Sequence, residues 1–444
     1  MKAYSEYKDS GVSGIEQIPK DWISEKIKFV ATCNDEVLSD STADDEIINY
    51  VEIGDVDYVN GITNTTEYEF KEAPSRARRI TRPNDIIIST VRTYLKAIAK
   101  IAEPDLIVST GFAVIRPRKI DEIFMSYALL APTFIEEVMS RSFGVSYPAI
   151  KASSLMNIKI CIPPLSEQKA IASFLDAKTK PIDDIIAKRE KQIELLEEMK
   201  SAIISRAVTK GLNPGAKMKD SGIEWIGEIP EGWEMCKLKY ILKREKYNIK
   251  TGPFGTQLKG NDLREEGDVP VYNQRNVIDN QFHSPSVFVT LDKANELAGF
   301  HTKPNDVLIT SRGTIGKAAI LPNGAKEGIL HPCLIALRIN QDLVNLKYLF
   351  YYINGFEGFA INVFLESNAT TIEVIYTDTL KNIFVTLPQL EEQQAIASYL
   401  DSETSKIDSR IAKRRKQIEL LHEYKQALIT AAVTGKIDVR DYIS

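Results

Sequence analysis

The sequence predicts an α+β protein, internally duplicated and pseudo-twofold, in which two mixed α/β domains are separated by two long antiparallel coiled-coil helices. Three observations predict it. The segment from Ile162 to Asp176 returns as Leu387 to Asp401, 225 residues later. At the same offset, Ile186-Ala187-Lys188-Arg189 returns as Ile411-Ala412-Lys413-Arg414, and the six residues from Lys191 as those from Lys416. Each copy also carries an apolar stripe in steps of four and three. A duplication within one chain gives a pseudo-twofold molecule, which suits a target with two halves. Duplex DNA is such a target.

The elements follow in order. Lys8-Asp9-Ser10-Gly11 and Trp22 recur as Lys219-Asp220-Ser221-Gly222 and Trp233, 211 residues on. Thr81 to Ser89 matches Thr302 to Thr310 at an offset of 221. The drift from 211 to 225 places the length differences inside the globular parts, where loops absorb them. These parts run over 1–160 and 216–386, and the helical parts over 161–215 and 387–444. Short β-rich runs are expected at Asp85–Thr90, Leu106–Ile115, Asp306–Thr310 and Cys333–Ile339. Tyr127–Leu130 and Tyr348–Ile353 read as helix. A short helix is expected to begin near Ser166, its N-cap, with Pro164 just upstream. Pro181 should interrupt or restart it.

From there the first stripe is Ile182, Ile186, Arg189, Ile193, Leu196, Lys200, Ile203, Ala207. The second is Ile407, Ile411, Arg414, Ile418, Leu421, Lys425, Leu428, Ala432. This heptad-like pattern predicts two helices paired within one molecule. Docking of each stripe on its own domain, or homodimerisation, are the alternatives. Leu195, Met199, Leu420 and Tyr424 lie beside the stripe, and simple pairing leaves them for a partner. About 27 residues of helix span ~40 Å, against ~34–36 Å for one turn of DNA. A rigid pair of that length would hold two domains about one turn apart.

At 444 residues, 26% charged and 43% hydrophobic, the chain reads as soluble and globular. No apolar run approaches the ~18–20 residues of a membrane span, and Met1 to Asp9 resembles no targeting segment. Four scattered cysteines and four histidines show no metal-ligand spacing and fit a reduced, cytoplasmic location. A net charge of −5 argues against indiscriminate nucleic-acid binding and implies that partners complete any neutralisation of phosphate.

Candidate binding residues cluster in loops. In the second half these are Lys250, Thr251, Thr256, Gln257 and Lys259 around a Gly/Pro-punctuated loop, and Asn273, Gln274, Arg275 and Asn276 in a row. Arg312, Thr314 and Lys317 follow a strand. Planar amide and guanidinium groups form paired hydrogen bonds with base edges, and glycines permit close backbone approach. The structural alternative is a set of ordinary solvated loops. The first half offers Arg76, Arg78, Arg79 and Arg82, then Arg92 and Lys96 where the second half has its Gly-rich loop. By offset, Lys96 matches Lys317, and Gly54-Asp55 matches Arg275-Asn276. A repeated scaffold with unlike side chains is what two unlike half-sites require. Catalysis is not expected. Gly313 to Ala318 is too short for a phosphate-binding loop and lacks a hydroxyl residue after Lys317. There is no Asp/Asn-Pro-Pro-aromatic segment. A faint nuclease-like grouping of Asp55 or Asp57 with Glu69-Phe70-Lys71 is not kept at Thr290-Leu291-Asp292.

Several motifs together resemble one family across nearly the whole chain. They are the two Pro-x-Leu-x-Glu-Gln entries (Pro163–Gln168 and Pro388–Gln393), the paired helices, the loop Gly252–Thr256 and the segment Asp306–Gly316. The chain resembles the DNA-specificity subunit of type I restriction–modification enzymes. That resemblance implies two target-recognition domains, each reading half of a split sequence in double-stranded DNA. It implies helices that dock two methyltransferase subunits, and two restriction-translocase subunits that join for cleavage. S-adenosylmethionine, ATP and Mg are implied on those partners, with no cofactor in this chain. The first half departs from the family pattern in lacking the Gly-Pro-Phe-Gly loop and the Arg-Gly-Thr-Ile-Gly segment. A free-standing DNA-binding regulator and a helical scaffold that binds no DNA are the competing readings.

Overall fold

The computed structural model describes residues 2–367 and 374–442. Contacts divide the chain into two compact units, residues 1–190 with 414–444 and residues 191–413. Each unit holds one globular body, part of the helix Leu165–Lys210 and part of the helix Leu390–Val433.

The first unit contains two four-stranded sheets. One has the order Ile98–Lys100, Ile86–Ser89, Phe112–Pro117, Ala31–Cys33, antiparallel throughout. The other runs Thr66–Glu69, Ile47–Val51, Leu106–Ser109, Ala77–Ile80, with its central pair parallel. The second unit repeats the first arrangement as Ala318–Ile320, Val307–Thr310, Leu334–Leu337, Ile249–Thr251. It repeats the second as Phe288–Val289, Val269–Tyr272, Ile329–Leu330, again with a parallel pair. The fourth strand there shrinks to a single bridge between His301 and Ile329. Leu106–Ile115 is therefore not the one run expected. Its residues turn at Thr110-Gly111 and serve both sheets, because a buried apolar stretch does not reveal which sheet it joins. The expected helices are Glu122–Leu130 and Leu346–Gly355, N-capped by Asp121 and Asn345.

The Glu-Gln pair of the repeated motif ties each long helix to its unit. Glu167 accepts the indole N–H of fully buried Trp22 at 3.0 Å, and Glu392 that of Trp233 at 2.9 Å. Tyr4 donates to Glu167 as well, and burial with this bond raises the tyrosine pKa. Gln168 accepts from Asp121 N–H at 2.8 Å, as Gln393 does from Asn345 N–H at 2.9 Å. Both amides also donate to the carbonyl five residues back, that of Pro163 or Pro388. A buried polar group without a partner costs about 1–3 kcal/mol, so the motif's chemistry is structural.

The first long helix is continuous, with Pro181 inside it, and Ser166 lies within its first turn rather than capping it. The expected break does not occur. Pro181 removes one backbone bond, at about 3 kcal/mol. Ile182 and Ile186 directly after it are buried, and at about 1.5–3 kcal/mol each they outweigh that loss. The equivalent of Pro181 in the second helix is Lys406.

The stripes are the buried faces. Ile182, Ile186, Ile407, Ile411 and Leu428 are buried, whereas Ile193, Leu196, Ile203, Ile418 and Leu421 are half-buried. Ile204 and Ile429, one step beyond Ile203 and Leu428, are buried too, widening the face. The lysines in the stripe have partners on the other long helix. Lys425 meets Asp183 at 2.6 Å in the first unit, and Lys200 meets Asp408 at 2.7 Å in the second. At the 225-residue offset these are one interaction made twice, and they fix antiparallel pairing of the two long helices. No single helix among the described residues is long and apolar enough to cross a membrane.

Candidate nucleic-acid interface

In the second unit the three candidate loops meet through a segment that sequence reasoning missed, His331-Pro332-Cys333. His331 N–H donates to Tyr272 O at 3.0 Å, just before Asn273. Ser311 N–H donates to Cys333 O at 2.8 Å, just before Arg312. Gly252 N–H donates to Leu334 O at 2.9 Å, and a Cβ at Gly252 would lie 2.1 Å from His331 O. Only glycine fits there. His331 Nδ1 accepts from Cys333 N–H at 3.2 Å, and burial lowers the ring's pKa. The neutral ring thus braces the junction. Its available signal was positional, since Ser109 and Gly111 occupy the matching place and Ser109 Oγ accepts from Gly111 N–H at 3.2 Å.

Around this hub the candidates separate. Arg312, Thr314 and Lys317 are exposed on a loop closed by Thr310 N–H to Lys317 O at 2.8 Å. Gly313 and Gly316 take φ of +67° and +77° there. Gln274 Nε2 donates to Thr314 O at 3.3 Å, joining this loop to the next. Arg275 is exposed and pairs with Asp279 at 3.3 Å. Asn273 and Asn276 correct the expectation of four planar groups side by side. Asn273 caps the helix Gln274–Ile278, and Asn276 accepts Asn273 N–H at 2.9 Å and donates to Gln281 O at 2.8 Å. Helix starts require such caps, and Asn is the residue that supplies them. Lys250 is also occupied. Its ammonium lies 4.1 Å from the Tyr247 ring centroid and 3.9 Å from that of Phe300, and burial lowers its pKa. Thr251 is half-buried in the sheet. Gln257 folds back to accept Phe254 N–H at 3.0 Å, leaving Thr256, Lys259 and the Phe254 ring exposed.

The first unit builds the same places from different side chains. Glu52 N–H donates to Asp55 Oδ2 at 2.9 Å, the counterpart of the Asn273–Asn276 cap. Thr90 N–H donates to Gly111 O at 2.8 Å, as Ser311 does to Cys333. Ser89 N–H closes its loop on Ala97 O at 2.8 Å. Ala97 therefore stands where Lys317 does, and Lys96 stands at Gly316. The loop is one residue longer than its copy, which corrects the match by offset. Arg92 and Lys96 hold φ of +51° and +52°, the left-handed region that Gly313 and Gly316 occupy in the second unit.

The arginine cluster divides by what each side chain meets, with Arg78 and Arg79 inside the strand Ala77–Ile80 and Arg76 and Arg82 flanking it. Arg76 is exposed, and its carbonyl accepts Thr110 N–H at 2.8 Å. Arg78 is half-buried over the Phe70 ring at 4.7 Å, with Asp40 at 3.9 Å. Arg79 is half-buried with its Nε enclosed. Arg82 pairs with Glu36 at 2.6 Å. Arg78 and Arg79 thus serve the sheet, and Arg76, Arg92 and Lys96 face solvent. Arg82 and Arg116 hold the Glu36 carboxyl down to about 2. Among the described residues no group of three or more His, Cys, Asp or Glu could hold a metal ion.

Comparison with known proteins bears on both units. The family described as the type I restriction modification DNA specificity domain matches residues 19–195 and again 230–420. The type I restriction enzyme MjaVIII specificity subunit of Methanocaldococcus jannaschii is 28% identical over 99% of this chain and 98% of its own length. The StySPI specificity subunit of Salmonella potsdam is 22% identical over 95% and 90%. A solved chain described under complex assembly and conformational transition of the type I R-M system has the same fold. Its TM-score is 0.67 at 24% identity, over 95% of this chain and 99% of that one.

Proposed function

We propose, from the premise that this chain belongs to the type I restriction modification DNA specificity family, that it reads a two-part duplex sequence, one half-site per globular body. One observation carries this reading. The same loops stand at the same sheet ends in both units, closed by the same backbone hydrogen bonds, while their exposed side chains differ. Phosphate contacts set register and base-edge contacts set sequence. In the second unit Arg312, Gln274 and Arg275 are the base-reading groups, with Lys317 and Lys259 suited to phosphate. In the first, Arg76, Arg92 and Lys96 take these roles.

The chain itself supplies no chemistry in this reading. It positions two methyltransferase subunits, which bring S-adenosylmethionine to adenine, and two restriction-translocase subunits, which use ATP and Mg. The exposed Leu195, Met199, Leu420 and Tyr424 on the long helices suit such docking. The net charge of −5 supports shared neutralisation of the duplex. A cytoplasmic location accords with four free cysteines.

The test is adenine-methylation mapping of DNA from cells expressing this chain with its candidate methyltransferase subunit, each alone serving as control. A split motif present only with both supports the reading. Tight sequence-specific binding by the chain alone would favour a free-standing regulator. No sequence preference in the assembled complex would favour a scaffold. Arg312→Ala is expected to weaken specific binding by about 1–3 kcal/mol. Unchanged discrimination in the second half-site would remove Arg312 from the reading set.

A further inference from the structure

The left-handed loop of the first unit is fused to a second, apolar loop that neither the motifs nor the charge pattern singled out. Phe143 and Ala149 exchange both backbone hydrogen bonds at 2.9 Å and close a five-residue loop, Gly144 to Pro148. Gly144 turns it at φ +111°. Three bonds weld this loop to the first. Ile150 N–H donates to Thr90 O at 2.8 Å, Thr93 N–H to Pro148 O at 3.3 Å, and Thr93 Oγ1 to Ser142 Oγ at 2.8 Å.

On this fixed base the side chains point away from the core. Phe143 is 81% exposed, Val145 102% and Tyr147 66%. Three large apolar groups in solvent on a hydrogen-bonded loop mark an interaction surface. The Arg92 guanidinium lies 5.2 Å from the Tyr147 ring centroid, which aims it without neutralising it. Arg92 has no carboxylate partner among the described residues, unlike Arg82 and Arg116.

The backbone supplies an independent argument. A side chain in the left-handed region is strained where glycine is not. The second unit's copy, one residue shorter and closed by the matching backbone bond, has glycine at both positions. The fold therefore does not need Arg92 or Lys96 there, and the strain is retained for what the side chains do.

We propose that loop 143–149 is a DNA-contacting element of the first half-site. The Tyr147 ring presents Arg92 to a base edge, and Phe143 and Val145 form an apolar tip that enters a groove. The partner is duplex DNA rather than protein, because the tip is continuous with the Arg92–Lys96 loop and both of those cations lack carboxylate partners among the described residues. Lys96, its ammonium 5.9 Å from the Tyr58 ring centroid, flanks the site as a phosphate contact. Phe143 and Val145 suit thymine methyl groups or a partly unstacked step. This inference rests on the two-part reading proposed above.

The experiment uses the full chain co-purified with its methyltransferase subunit and a randomised duplex library, selected and sequenced. Arg92→Gly keeps the backbone shape. It is expected to erase preference at one position of the first half-site, by about 5- to 150-fold. The melting temperature should stay level or rise by up to about 2 °C, as strain is relieved. Phe143→Ser with Val145→Ser should cut capture roughly tenfold, with unchanged melting and unchanged preferences in the second half-site. Arg312→Ala serves as the internal control. If it alters second-half preferences while Arg92→Gly and the tip variant alter none, the loop proposal is overturned and the two-part reading stands. If no variant alters any preference, the two-part reading falls. A tip variant that loses the methyltransferase subunit but keeps its sequence preferences would assign the loop to protein docking and overturn the proposal.

Discussion

Loop 90–96 of the first unit and loop 311–316 of the second occupy one place in a repeated sheet, and they differ where it matters. Both leave a buried strand, both are closed by a strand-end N–H reaching across the loop, and both are held by Gly111 or Cys333. Two backbone positions in each must be left-handed. The second unit meets that requirement with glycine, and the first with Arg92 and Lys96. Loop shape is therefore set by long-range backbone bonds, and the identity of the strained residues is left to function. The same division separates the Glu52–Asp55 turn from the Asn273–Asn276 turn. The cap is kept, while the residues between change from Ile53-Gly54 to Gln274-Arg275.

If the scaffold is a true repeat, matched changes should cost matched amounts. The largest effect belongs to the two buried tryptophans. Trp22→Ala and Trp233→Ala should each cost about 3–5 kcal/mol in denaturant unfolding. A difference beyond about 1.5 kcal/mol would show that the two bodies are not equivalent in energy. Position 181 breaks the symmetry deliberately. Lys406→Pro should cost about 3 kcal/mol, and Pro181→Lys should gain about 1–3 kcal/mol. A loss on Pro181→Lys would mean that the first helix uses its missing N–H.

The paired lysines are expected to matter least. Lys200→Ala and Lys425→Ala should each cost about 0.2–1 kcal/mol, since Asp408 and Asp183 are exposed. A double-mutant cycle with either aspartate measures the pair. Acid should also separate the units. The depressed Glu36 carboxyl contributes stability that is complete above its ordinary value of 4.5 and is lost as pH falls toward about 2. Burial instead raises Asp306, against the pull of Arg338, so its protonation on acidification favours the folded second unit. Fluorescence of a Trp22→Phe variant, compared with the intact chain between pH 5 and 2, should show the Trp22 signal lost first. Coincident loss of both signals would remove this asymmetry.

Much of the scaffold was legible in the chain. The repeat and the helical stripes follow from spacing, and the short apolar runs Tyr127–Leu130 and Tyr348–Ile353 mark the later parts of two further helices, whose caps Asp121 and Asn345 they did not reveal. Pro181 was misread because a local rule priced only the lost backbone bond, while buried Ile182 and Ile186 lay in tertiary contacts. The reading residues were only partly legible. Asn273 and Arg275 look alike in sequence as hydrogen-bonding groups, yet one caps a helix and the other faces solvent. Arg78 and Arg79 fell to the same ambiguity, since a run of arginines does not announce which side chains find a ring or become enclosed. His331 and the loop 143–149 carried no charge pattern or motif, so nothing local marked them.

The sequence by itself determined the duplication, the periodic faces of the long helices and the glycines that one loop requires. These depend on residues a few positions apart, and near-neighbour sterics and periodicity record them directly. Only the tertiary structure decided that the segment from His331 to Leu334 joins three loops, that Asp183 meets Lys425 across the helix pair, and that Arg92 stands strained above Tyr147. Those contacts link residues tens to hundreds of positions apart. They exist because strand pairing and apolar burial bring the segments together, and no short window of sequence contains them.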